Sequence, residues 1–199
     1  MAEKIVIEVY KTKAPEELTK LLSDPESRLE TGSGAALSAS IAAALLCRVA
    51  AIAKAAGEPN ERTEFIARNG EIIRNYMVHL IDEDVKCRGP LRRAFKEGEA
   101  REIEAAMRPA VSICEEIVSM MGKCLNMLKE ISDLCPTEAM HYVAAGADLA
   151  MGATKAAMRY ILYMAGKSTE ETYCYVTRRE NEMTWEQYES VYAEIMAKL

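Results

Sequence analysis

Between Ala35 and Ala53 the chain carries an alanine-rich apolar run broken only by Ser38, Ser40 and Arg48. Such a run leaves few structural choices. Alanine is the strongest helix former, so the run predicts one long helix from Gly34 to Ala56, stopped by Gly57 and Pro59. Rich in alanine and holding those three polar residues, it reads as too weakly hydrophobic for a convincing membrane span. Its small side chains would let neighbouring helices approach closely, which predicts a position at the centre of a helical bundle.

The rest of the chain supplies the partners. Half of the 199 residues are apolar but only 6% are aromatic, and the abundance of Ala, Leu, Ile and Met favours packed helices over sheets. Pro15 opens a short helix through Leu18, Leu21 and Leu22 that ends at Ser23-Asp24-Pro25. After a turn-rich segment and the central helix, Asn60 caps a third helix carrying Ile66, Ile73, Tyr76, Met77, Leu80 and Ile81. That helix is expected to end near Gly89-Pro90, and a separate basic segment runs from Leu91 to Lys96. Beyond Gly98 a helix passes through Ile103, Met107, Val111, Cys114, Ile117 and Leu125, with Pro109 as the source of a kink. Pro136 with Thr137 starts another long helix reaching about Ala165, and Thr184 caps a last one through Trp185, Tyr188, Tyr192 and Ile195. Residues 4 to 10 alternate β-branched and charged side chains and read as a short extended arm. The expected fold is all-α, a single domain over 1–199, built as an antiparallel bundle of five to six main helices.

A formal charge of −6 offers no electrostatic reason to seek nucleic acid or an anionic membrane. Six cysteines are scattered without a Cys-x-x-Cys pair, and His79 and His141 are the only histidines, which argues against a zinc site. Free thiols, with no basic-then-apolar leader at the amino end, fit a reducing cytoplasm.

Three places could carry chemistry. The turn Thr31-Gly32-Ser33-Gly34 directly precedes the central helix, where unpaired backbone N–H groups attract a carboxylate or phosphate, although a plain capped helix start has the same pattern. Asp84 stands on the stripe of Ile73, Met77 and Leu80, where the core face calls for an aliphatic residue. Partial burial would raise its pKa toward neutrality and make it a general acid or base, whereas Asp82 and Glu83 should be ordinary surface acids. An ion pair with Arg88, one turn on, is the competing role for Asp84. The third place is the stripe His141, Asp148, Lys155 and Arg159, which is either the solvated side of its helix or a pocket wall. The basic run Lys86, Arg88, Arg92, Arg93 and Lys96 could hold an anionic tail, but with only Phe95 interleaved it makes a poor nucleic-acid platform.

Over about residues 15 to 180 the order of these parts resembles the cyclodeaminase domain of formiminotransferase-cyclodeaminase and the related bacterial methenyltetrahydrofolate cyclohydrolases. Glu30-Thr31-Gly32-Ser33-Gly34-Ala35-Ala36 stands where that family carries Pro-Gly-Gly-Gly-Ser before an Ala-rich helix. Leu80 to Asp84 matches its Leu-x-x-x-Asp, and Ala105 to Pro109 its Ala-x-x-x-Pro. The chain departs at Ala35 (a serine in the family), at His141-Tyr142 (Ser-Asp), at Gly89 (an acidic or amide residue) and at Tyr160 (Asn). The resemblance implies cyclohydrolysis of methenyltetrahydrofolate or cyclodeamination of formiminotetrahydrofolate, with no metal or redox cofactor. It implies Asp84 and His141 as the catalytic pair. Thr31, Gly32, Ser33, Gly34, Lys86, Arg88, Tyr142 and Asp148 would bind the folate, and the chain would form a homodimer. The departures suit a second reading, a diverged relative that binds another ligand or catalyses nothing; a third is a helical interaction protein with Asp84 and His141 on separate exposed faces.

Overall fold

The computed structural model describes residues 9–57 and 60–199. Residues 4–8 of the expected extended arm, and Pro59, lie outside the described residues. The described residues form α1 (Pro15–Ser23), α2 (Thr31–Ala56), α3 (Glu61–Glu97), α4 (Ala100–Ile131), a single 3₁₀ turn (Thr137–Ala139), α5 (Met140–Ala165) and α6 (Glu171–Met196). The all-α expectation holds.

α2 is the central rod, packed against α3, α5 and α4. Its alanines do what their size predicts: Ala36, Ala39, Ala42, Ala43 and Ala50 are fully buried. Contacts along the rod fix the directions of its neighbours. Lys54 pairs with Glu64 and Ser33 with Asp84, so α3 runs antiparallel to α2. Arg48 lies over Tyr142 and Ser38 bonds to the carbonyl of Leu149, so α5 is antiparallel as well. By length and composition alone α2 is long and apolar enough to cross a membrane, more hydrophobic than its alanine content suggests, as the core helices of bundles also are. What marks it as a core helix is its packing against three others, not its composition.

Three helix boundaries differ from expectation, the first being the start of α2, which lies at Thr31 and not at Gly34. α3 does not stop at Gly89-Pro90 but continues to Glu97. Proline removes one backbone donor, and Pro90 stands on the solvated side with Lys86, the residue whose carbonyl loses its partner. The added turns bury Leu91. α6 begins at Glu171 and not at Thr184, which sits inside the helix. The polar segment before Thr184 contains no breaker, and it seats Thr177 in the interior.

Candidate active-site cleft

The amino end of α2 leaves backbone N–H groups without helical acceptors. Glu30 occupies the N-cap position, yet its side chain makes no capping bond. The cap comes from α3 instead. Asp84 Oδ2 accepts hydrogen bonds from the Ser33 backbone N–H (2.8 Å) and the Ser33 hydroxyl (2.7 Å). Gly32 is what admits this carboxylate, since a Cβ there would sit 2.4 Å from Asp84 Oδ1.

Asp84 is fully buried, as its place on the apolar stripe predicts. It is also committed, because Arg88 Nη2 donates to its Oδ1 at 2.5 Å. Arg88 is itself fully buried and continues the chain of charges. Its Nη1 bonds to the Tyr160 hydroxyl and pairs with Glu30 Oε2 at 3.0 Å, while its Nε has no partner among the described residues. Arg92 then holds Glu30 Oε1 at 3.1 Å and donates to the Ser27 carbonyl at 2.5 Å. Burial works against the charge of Arg88, but Asp84, Tyr160 and Glu30 outweigh it and hold its pKa above the ordinary value. Burial likewise pushes the Tyr160 hydroxyl up, against the lowering effect of Arg88.

Beside this array opens a cleft of about 580 Å³, within the range of small-molecule sites. Its polar lining comes from Glu30, Thr31, Arg88, Arg92 and Arg159 and its aromatic lining from Phe95, Tyr160 and Tyr163. Asp84 does not line it. A second hollow of about 500 Å³, bordered by Leu22, Ser27 and Leu29, shares Glu30, Thr31 and Arg92 with the first.

The expected site residues divide into three groups. Thr31, Gly32, Ser33, Gly34, Asp84 and Arg88 come together at the start of α2, although 31–34 form the first turn of the helix and not a turn before it. His141, Tyr142 and Asp148 do not join them. His141 is exposed and its ring lies tilted against that of Tyr142, about five turns before Tyr160 on α5, roughly 28 Å along its axis. The antiparallel course of α5 carries it to the far end of α2, where Arg48 covers Tyr142. Asp148 accepts from the Tyr192 hydroxyl at 2.5 Å and Lys155 lies over Trp185, so α6 lies against much of that stripe, and only its last member, Arg159, reaches the cleft. Lys86 is exposed and paired with Glu83. Asp82 is buried, contrary to expectation, because its carboxylate accepts the backbone N–H groups of Tyr10 and Lys11.

Sequence reasoning missed Glu30, Tyr163 and the joint role of Arg88, Arg92 and Phe95. The last three are spaced four and three residues apart, the signature of one helix face. Ending α3 at Pro90 hid it.

The family model described as formiminotransferase-cyclodeaminase matches residues 16–183. Among solved structures the fold is similar to that of formiminotetrahydrofolate cyclodeaminase from Thermotoga maritima, with a TM-score of 0.87, 18% sequence identity, and coverage of 95% of this chain and 96% of that one. No curated protein matches.

Proposed function

The chain belongs to the formiminotransferase-cyclodeaminase family, whose chemistry is folate one-carbon metabolism, and from that premise we propose that it exchanges carbon–nitrogen bonds on a tetrahydrofolate-borne one-carbon unit in the cleft at the start of α2. The reaction is cyclodeamination of the formimino form or cyclohydrolysis of the methenyl form. The observation that carries this reading is the lining of the cleft, in which Phe95, Tyr160 and Tyr163 sit among Arg88, Arg92 and Arg159. The pterin of a folate is flat and stacks on exposed rings such as Phe95 and Tyr163, while Arg88 covers the ring of Tyr160; the folate's glutamate tail carries carboxylates that guanidinium groups bind with paired hydrogen bonds. Arg159, on the rim, has no ion-pair partner among the described residues and is the natural contact for that tail. Asp84 serves here as the anchor of Arg88. Both reactions are proton transfers coupled to C–N bond exchange, so the proposal calls on no resident metal or redox cofactor.

The same reading includes a homodimer and a cytoplasmic setting. α2 turns one strip outward, with Leu37, Ile41, Ala44, Arg48, Ala51 and Ala55 at alternating spacings of four and three residues, a pattern suited to close helix pairing. All six cysteines are free, which suits a reducing compartment.

Purified protein should consume methenyltetrahydrofolate, followed by loss of its ultraviolet absorbance, or release ammonia from formiminotetrahydrofolate. Failure in both assays removes the reading. One observation favours a second: the Arg88 guanidinium is already committed to Asp84, Glu30 and Tyr160, which suits a relative that handles a different anionic ligand. Thermal stabilisation by folates supports the first reading, and indifference to them the second.

A further inference from the structure

We infer that Glu30 is a catalytic residue of this cleft, the carboxylate that takes a proton from the attacking group and returns it to the departing nitrogen. The inference rests on the folate reading above and adds to it a residue that neither the sequence patterns nor Asp84 supplied.

Three observations converge on Glu30. Among the described residues it is the only carboxylate lining the cleft, and its side chain is one-third exposed where Asp84 is sealed off. It stands at the N-cap of α2 but is released from capping, because Asp84 serves the Ser33 N–H in its place. Its two oxygens are held by separate guanidinium groups, Arg88 at 3.0 Å and Arg92 at 3.1 Å, so the carboxylate is fixed in position at the boundary of the two hollows while keeping an open side.

The chemistry asks for such a group. In cyclodeamination the folate's aryl nitrogen N10 attacks the carbon of the protonated formimino group. The new C–N bond leaves N10 positively charged, and an arylammonium of that kind is a far stronger acid than a carboxylic acid. The Glu30 carboxylate, held at the cleft by its two arginines, takes that proton. The NH₂ now on the tetrahedral carbon is an aliphatic amine, more basic than the carboxylate, so it accepts the proton and leaves as ammonia as the C–NH₂ bond breaks. The proton balance on Glu30 is zero, and the product keeps the single positive charge of the substrate. In hydrolysis the same carboxylate takes the proton of the water that adds to the methenyl cation and delivers it to N5 as the ring C–N5 bond opens; the remaining hydroxyl proton goes to solvent.

The test compares wild type, Glu30→Gln and Glu30→Ala in both folate assays, with tetrahydrofolate, which has no one-carbon bridge, as the binding probe. Glu30→Gln should lower kcat by about 100-fold or more, the usual worth of a positioned acid–base group, with KM and the tetrahydrofolate Kd within about threefold of wild type. Added formate should raise the rate of Glu30→Ala in proportion to its concentration, a rescue that a merely structural role would not show. A Glu30→Gln kcat within about threefold of wild type, or no formate rescue, overturns the role of Glu30 and leaves the folate reading standing. A wild-type protein inert toward both substrates overturns both.

Discussion

At the residue scale, Asp84 ties the cleft to the fold. It joins the start of α2 to the one fully buried arginine, and Arg88 keeps its charge in the interior because carboxylates answer it. Removing one member of a buried pair strands the other, so Asp84→Ala should cost about 3–5 kcal/mol. Ser33→Ala, which deletes only the hydroxyl bond, should cost about 1 kcal/mol. Urea denaturation checks both, and equal losses would contradict the pairing described here. The thiols make a second prediction. Burial pushes Cys114 and Cys124 up to about 12 and Cys47 up to about 11, from an ordinary value of 9.0. The unfolded chain then ionises first, so their contribution to stability is complete below pH 9 and declines as pH rises from 9 toward 12. Urea midpoints at about pH 8 and about pH 10.5 should fall further apart in wild type than in Cys124→Ala.

At the scale of elements, the long apolar helices were legible and their junctions were not. Helix period places Ile66, Ile73, Met77 and Leu80 on one face, and all four are buried. Pro90 misled because a proline's effect depends on whether water can take the carbonyl it orphans, and that is a property of the folded surface. Thr184 misled for the converse reason: a good capping residue is tolerated inside a helix whose preceding segment is anchored elsewhere, here by Cys174 Sγ on the Ala165 carbonyl and by buried Thr177. The docking of α6 on α4 makes its own prediction. A Cβ at Gly122 would meet the Tyr188 hydroxyl at 2.1 Å, so Gly122→Ala should destabilise by roughly 1–3 kcal/mol through overpacking. In a Tyr188→Ala background the same change should cost less, and a double-mutant cycle by thermal denaturation reads the difference.

At the scale of the whole molecule, the bundle brings the ends of three helices to one cleft and leaves one strip of α2 uncovered. If that strip pairs with a second copy, wild type should scatter light as twice the 22.1 kDa chain and Ile41→Glu, at a side chain 47% exposed, as a single one. A wild-type monomer at working concentration would sink the dimer. Composition and periodicity were enough for the helical class, the central rod and the inward turn of Asp84, because these follow from local propensity and from which side chains water rejects. Which charged groups share the cleft was decided only by tertiary packing. Helix direction sends His141 and Arg159 to opposite ends of α5, and the register of α3 on α2 sets Arg88 and Arg92 beside Glu30. Pairings across 58 and 62 residues of chain are set by how the helices stack, and no local spacing encodes them.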